Sequence, residues 1–194
     1  SSASSIYGIP QTLPVNENHP KHPTTVYGIG KYMGEHLLRV YQEMYGIDYF
    51  VLRFTNVYGP FQSPITGGLI PVVFSRIING EEVTIYGDGS QTRDFVYVGD
   101  LSRLIKEILV KEDIKNEIVN AGSGVSTSIL EVVKACGLIA EIEPNLVYKS
   151  QEGGERKGFK ADIEKAKKIF GFYPDTPLNT GLKHTFNWLR KQSF

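Results

Sequence analysis

The stretch Pro23–Pro60, PTTVYGIGKYMGEHLLRVYQEMYGIDYFVLRFTNVYGP, decides the architecture. Pro23, Thr24 and Thr25 give a helix start signal. Val26, Ile29, Met33, Leu37, Tyr41 and Met44 then recur every three or four residues until Gly46 supplies a stop. That spacing predicts an amphipathic helix with one face in the core. Tyr49–Phe54 follows as a nearly continuous apolar run, the pattern of a parallel strand covered on both faces. Asn56–Pro60 reads as the turn that ends it. A helix feeding a buried strand is the repeating unit of an α/β fold.

Outward from this core the alternation continues. A helix is expected around 69–79, a strand at Val83–Tyr86, a turn at Asp88-Gly89 and an extended segment at Asp94–Val98. Asp100 is read as the cap of a helix whose Leu101, Leu104, Ile105, Ile108 and Leu109 form a core-facing stripe. Glu117–Asn120 reads as a short strand, and Ser128 with Glu131 as a capping box ahead of a helix through Val132, Val133 and Cys136. Two helices close the sequence, Asp162–Phe170 with Gly171 as stop, and one from near Asn179 that buries Leu182, Phe186 and Leu189.

Composition excludes several classes. With 194 residues the chain is long enough to bury a core without staples. Its 21 Lys plus Arg balance 21 Asp plus Glu, so no surplus of positive charge exists for nucleic acid or an anionic membrane. Cys136 is the only cysteine, which rules out an internal disulfide and a cysteine-based zinc site. His19, His22, His36 and His184 lack paired ligand spacing, so no metal is expected. No apolar run approaches the roughly 20 residues of a membrane helix, and Ser1–Ser5 lacks the pattern of a signal peptide. A soluble, cytoplasmic protein is the expectation.

Two motifs overlap in the first helix. Gly28, Gly30 and Gly34, with Asp48 twenty residues after Gly28, imitate a dinucleotide-binding fingerprint. The fingerprint needs an apolar strand before the glycines and an acid that ends the second strand, and here Lys21–Thr25 precedes and Asp48 begins a strand. The glycines are therefore read as helix glycines that permit close approach. Tyr27 and Lys31 form a Y-x-x-x-K pair, phenol and ammonium one turn apart on one helical face. With 11 Tyr, chance alone would give about one such pair, so its neighbours carry the reading.

Those neighbours are Ser4-Ser5-Ile6-Tyr7-Gly8 before the pair, Leu52–Pro60 after it, then Gly87–Val98, Asn120–Gly124 and Ala161-Asp162. Together, in this order, they make the sequence similar to the extended branch of the short-chain dehydrogenase/reductase superfamily, the nucleotide-sugar epimerases and dehydratases. The resemblance implies the C-terminal part of a Rossmann-type parallel sheet plus a smaller mixed α/β lobe. Residues 1–61 would be the remaining part of the NAD-binding domain. Residues 62–194 would be the nucleotide-sugar lobe, with about 96–121 returning to the sheet. A missing N-terminal Rossmann half with the Gly-rich turn, and a homodimer paired through the first helix, are implied with it.

The resemblance also assigns roles. Tyr27 would be the base and Lys31 its activator, both beside NAD. A free tyrosine titrates near pH 10, so its phenolate must be favoured by roughly 4 kcal/mol to act at neutral pH, and an adjacent cation favours it. In the family a Ser or Thr stands four residues before the Tyr of the Y-G dipeptide. That position is Ala3 here, leaving Ser2 and Ser4 as the candidate hydroxyls. Family dehydratases and decarboxylases carry acids just before Y-G, where Ser4 and Ser5 stand, so simple epimerisation is the better fit. Phe54 would bring its backbone to the nicotinamide amide. Asn56 and Arg93 would contact the diphosphate, and Arg156, or Glu152 on another alignment across Gly153-Gly154, would be a second phosphate contact. The implied reaction is NAD-dependent epimerisation of a UDP-hexose at carbon 4. A redox-inactive nucleotide-sugar-binding module and a reductase of the same superfamily are the alternatives.

Overall fold

The computed structural model describes residues 1–65, 67–111, 113–150 and 158–192. In chain order these form β1 (Ser2–Ala3), a 3₁₀ turn (Ser4–Tyr7), α1 (Val26–Tyr45), β2 (Phe50–Phe54), β3 (Asn56–Tyr58), α2 (Leu69–Ile78), β4 (Val83–Tyr86), β5 (Thr92–Arg93), β6 (Phe95–Tyr97) and α3 (Val98–Val110). They continue with β7 (Glu117–Ala121), β8 (Thr127–Ser128), α4 (Ile129–Ala140), β9 (Leu146–Lys149), α5 (Glu164–Phe170) and α6 (Leu178–Leu189).

The central sheet has three parallel strands in the order β1-β2-β7. Val51 and Leu52 are buried, as the apolar run predicts, and Phe50–Phe54 runs in register with Glu117–Ala121. Helices α3 and α5 bring Leu101, Leu104, Ile108, Ala166 and Phe170 to this sheet, where they pack with Leu52 and Val119. A second core gathers α2, α4 and α6 around Val83 and Ile85 of β4. The parallel β3–β6 ladder joins the two cores. Alternate residues of a strand face opposite ways, so Val57 and Val96 pack into the first core while Tyr58 and Phe95 enter the second. The α/β class and its parallel pairing are as the periodicity predicts.

Four local expectations are corrected. Asn56–Pro60 does not simply turn, because Asn56–Tyr58 pairs with Phe95–Tyr97 as a strand. Asp100 lies inside α3 rather than at its cap, and its carboxylate accepts from the Thr176 hydroxyl (2.7 Å) and is paired with Arg103. Of the stripe on α3, Leu101, Leu104 and Ile108 are buried, whereas Ile105 and Leu109 are exposed because α5 covers a narrower arc than the apolar pattern. The largest correction concerns α1. Val26, Ile29, Met33, Leu37, Tyr41 and Met44 are all exposed, and Gly28 and Glu35 are the helix's only buried residues. At about 100° per residue, Val26, Met33, Leu37 and Met44 project opposite Gly28 and Glu35, so the apolar stripe faces away from the rest of the chain.

No described helix is long and apolar enough to cross a membrane, and the described residues contain no group of three or more His, Cys, Asp or Glu that could hold a metal. Cys136 is buried and free.

Candidate active site

Parallel α/β sheets place ligand sites beyond the carboxyl ends of their strands. Here a cleft of about 320 Å³ opens beyond the ends of β1 and β2, lined by Ser2, Ala3, Tyr27, Phe54, Thr55, Asn56, Tyr58, Gln62 and Leu69 among others. It therefore brings together Tyr27, Phe54, Asn56 and Ser2 of the sequence-derived set.

Helix α1 presents Tyr27 at its first turn. The Thr25 side chain caps the helix, accepting from Gly28 N at 3.0 Å. A Cβ on Gly28 would stand 3.0 Å from the Ser5 carbonyl oxygen, so the glycine lets the helix start lie against the 3₁₀ turn. Gly30 and Gly34 meet nothing within 4 Å, which corrects the close-approach reading for those two. Tyr27 is 61% exposed at the cleft rim. The Lys31 ammonium lies 5.6 Å from its ring centroid, a cation–π distance. Lys31 Nζ also donates to the carbonyl oxygen (3.2 Å) and Oγ (3.1 Å) of Ser1.

The serines separate. Strand β1 ends at Ala3 in extended backbone (φ −148°, ψ 153°), and the 3₁₀ turn begins at Ser4. Ala3 and Ser2 line the cleft, and the buried Ser2 Oγ has no hydrogen-bond partner among the described residues. Ser4 is half-buried in the turn and is not among the residues that line the cleft.

Asn56 is held by backbone and side chain alike, its N and Nδ2 donating to the Asp94 carbonyl oxygen at 2.9 and 3.1 Å. Asp94 itself is 0% exposed. Its carboxylate accepts from Thr55 Oγ1, Ser123 N, Ser123 Oγ, Gly124 N and Ala161 N at 2.7–3.2 Å. Burial raises this carboxyl above the usual range, opposed by the donors from Ser123, Ala161 and Gly124. The result is a staple that ties the cleft floor to two loops.

Arg93 lines an adjoining cleft of about 400 Å³ with Arg76, Tyr86, Gln91 and Lys149, and Leu69 borders both clefts. Among the described residues that line this second cleft, Arg76, Arg93 and Lys149 are basic and none is acidic, a chemistry suited to phosphate. Arg156 and Glu152 lie outside the described residues.

Sequence reasoning missed a buried polar group behind the cleft. Arg53, 3% exposed on β2, donates from Nε to Glu35 Oε1 (3.0 Å) and from Nη2 to Glu35 Oε2 (2.7 Å). Its Nη1 donates to Tyr7 OH and to the Glu17 carbonyl oxygen, both at 2.9 Å. Tyr7 OH donates onward to Asn120 Oδ1 at 2.7 Å. The available signal was a charged residue in an otherwise apolar strand, since a buried charge requires a partner.

The model of the NAD dependent epimerase/dehydratase family matches residues 1–122. The whole chain is 39% identical to a protein of Methanocaldococcus jannaschii named as a putative UDP-glucose 4-epimerase, covering 62% of that protein. The crystal structure of UDP-glucose 4-epimerase from Thermotoga maritima with UDP-glucose superposes with a TM-score of 0.92 at 37% identity, over 98% of this chain and 62% of that one. A more distant relative, dTDP-glucose 4,6-dehydratase of Xanthomonas campestris, is 29% identical over 96% of this chain and 56% of its own length. The chain thus spans about 60% of the length of the proteins it matches.

Proposed function

Because the chain belongs to the NAD dependent epimerase/dehydratase family, we propose that it is the proton-transferring and nucleotide-sugar-binding part of an epimerase of the UDP-glucose 4-epimerase type. The observation that carries this reading is Tyr27 at the rim of a cleft with the Lys31 ammonium 5.6 Å from its ring. In this reading Tyr27 takes the proton of a sugar hydroxyl as that carbon is oxidised, and returns it when the keto sugar is reduced. When bound, NAD supplies the reversible hydride acceptor.

The residues of the cleft fit the nicotinamide end of that cofactor. Phe54 lines it, and the unpartnered, buried Ser2 Oγ offers a polar contact next to Ala3, which brings no hydroxyl. Ser4, half-buried in the turn and not among the residues that line the cleft, is not assigned a part in the reaction. The pyrophosphate cradle belongs to a further segment of the kind that relatives carry beyond the matched 62%. Strand β1, paired among the described residues only with β2, offers that segment a parallel edge. Arg93, with Arg76 and Lys149 around it, clamps the diphosphate, and Asn56 orients it from the neighbouring cleft. The exposed stripe of α1 is the surface on which a second copy pairs.

Epimerisation is favoured over dehydration by the lining of the Tyr27 cleft, which holds no carboxylate among the described residues. The test is to join the chain to the nucleotide-binding half of a relative and assay UDP-glucose with NAD. Tyr27→Phe is expected to lower turnover by about 10²–10⁴-fold while UDP-glucose still binds. Unchanged turnover removes Tyr27 from the mechanism. Binding of UDP-glucose with no turnover in the unsubstituted assembly supports a binding module instead.

A further inference from the structure

Glu35 stands one turn beyond Lys31, the i,i+4 spacing at which a carboxylate pairs with a lysine on a helix surface. It does not pair with it here. Both Glu35 oxygens are engaged by Arg53, and Lys31 turns instead to Ser1 and the ring of Tyr27. Arg53 is itself fixed by Tyr7 OH and the Glu17 carbonyl oxygen, so it is bound on three sides. Resting on the reading of Tyr27 as the base, we propose that Arg53 is a positioning residue that keeps the Glu35 carboxylate away from Lys31, leaving that ammonium available to Tyr27.

The surroundings support an electrostatic role beyond mere anchoring. Glu35 shares the lining of the Lys31 groove, Tyr58 shares the lining of the Tyr27 cleft, and Arg53 reaches this pair through its bonds to Glu35, with Tyr7 OH held on its other side. Glu35 and Arg53 also line a separate cleft with Glu17, Lys21, Tyr32, His36, Arg39, Glu117 and Lys165, so these are charged and titratable groups on that side of the pair. Among the described residues lining the cleft of Tyr27 and the apolar groove of Lys31, Glu35 is the only carboxylate. It is thus the one group in those linings able to cancel the ammonium. The pair also sets where α1 sits. Its two buried residues are Gly28, beside Tyr27, and Glu35, one turn past Lys31.

Removing either partner leaves a buried charge unpaired, so stability alone cannot distinguish the two roles. The pH dependence of turnover can, measured on the assembled enzyme for Arg53→Gln, Glu35→Gln and the double variant. Arg53→Gln frees Glu35 to capture Lys31, and the acid limb moves up by about one pH unit. Glu35→Gln leaves no carboxylate to capture it, and the limb stays or moves down. The double variant returns toward the parent profile. Equal shifts in both single variants, or none in either, overturn the proposal.

A second measurement needs no catalysis. The rate at which acetic anhydride acylates Lys31 in this chain, read by mass spectrometry, is expected to fall severalfold in Arg53→Gln and not in Glu35→Gln. The opposite ranking overturns the proposal even if the role of Tyr27 stands. Conversely, undiminished turnover in Tyr27→Phe refutes the base while leaving the acylation result intact. Should Arg53→Gln fail to fold, Arg53→Lys, which meets Glu35 at a single point, carries the test. An upward shift supports the inference, and a parent profile refutes it.

Discussion

At the scale of single residues, the glycines of α1 show how alike residues can do unlike work. Gly28→Ala would press a methyl against the Ser5 carbonyl oxygen, 3.0 Å away, and displace the start of the helix that carries Tyr27. Gly34→Ala meets open space and removes the backbone freedom of a helical glycine. Thermal unfolding should therefore find Gly34→Ala more stable by about 1 kcal/mol and Gly28→Ala less stable than the parent. Asp94→Asn should cost about 2–3 kcal/mol in chemical denaturation, since an amide cannot accept from all five donors and turns N–H toward some of them. Tyr7 supplies a pH signature. Burial raises its phenol from 10.0 to about 12, so the folded state resists the deprotonation that the unfolded state undergoes. Its contribution is complete below about pH 10 and is lost as pH rises toward 12. Tyr7→Phe should weaken the protein near neutral pH and flatten that alkaline fall, although Tyr58, also raised by burial, retains part of the slope. Of these residues the sequence marks Tyr27, Lys31, Asn56 and Arg93 by motif. Asp94, Arg53 and Glu35 acquire their meaning from partners tens of residues away, which spacing along the chain does not encode.

At the scale of elements, periodicity located the helices well because each has a one-sided apolar face, and the capping box at Ser128 and Glu131 forms as its S-x-x-E spacing implies. It failed on direction. The stripe of α1 is as regular as that of α3, yet α3 buries most of its own and α1 none. Periodicity reports that a face will be covered and is silent on which chain covers it. Short strands were the other weakness. Segments β3 and β9 are only three and four residues long, and both owe their extended form to a parallel partner, β6 and β4 respectively. A single substitution tests the helix face. Leu37→Lys should leave the unfolding midpoint of the chain nearly unchanged, since Leu37 is 54% exposed, but should weaken self-association measured by sedimentation if a second copy pairs there. Equal association of both forms removes α1 from the interface.

At the scale of the whole molecule, two hydrophobic cores of different character meet along the β3–β6 ladder. One is built on the parallel sheet, with the cleft rimmed by Tyr27 of α1 beyond its strand ends, and the other on α2, α4 and α6, whose Leu69, Val73 and Val83 neighbourhood lines the basic cleft. A ligand whose charged and reacting ends occupy both clefts would bridge them at Leu69. UDP-glucose should accordingly protect the chain against unfolding more than glucose does, with a shift set by its concentration over its dissociation constant. Equal protection by the two would detach the basic cleft from phosphate recognition. The α/β class and the cleft-lining motifs were legible in the sequence because each rests on local pattern. The junction between the two cores was not, because it depends on one strand sending alternate side chains into both of them.

Strand β1 bears a further cost. Among the described residues its outer edge has no ladder partner, and beside it lies a groove lined in part by Leu37, Leu38, Tyr41 and Val51. Such a rim accepts any extended peptide that drifts past. A short β-forming peptide is therefore expected to bind beside β1, and the two-residue length of that strand keeps the ladder brief.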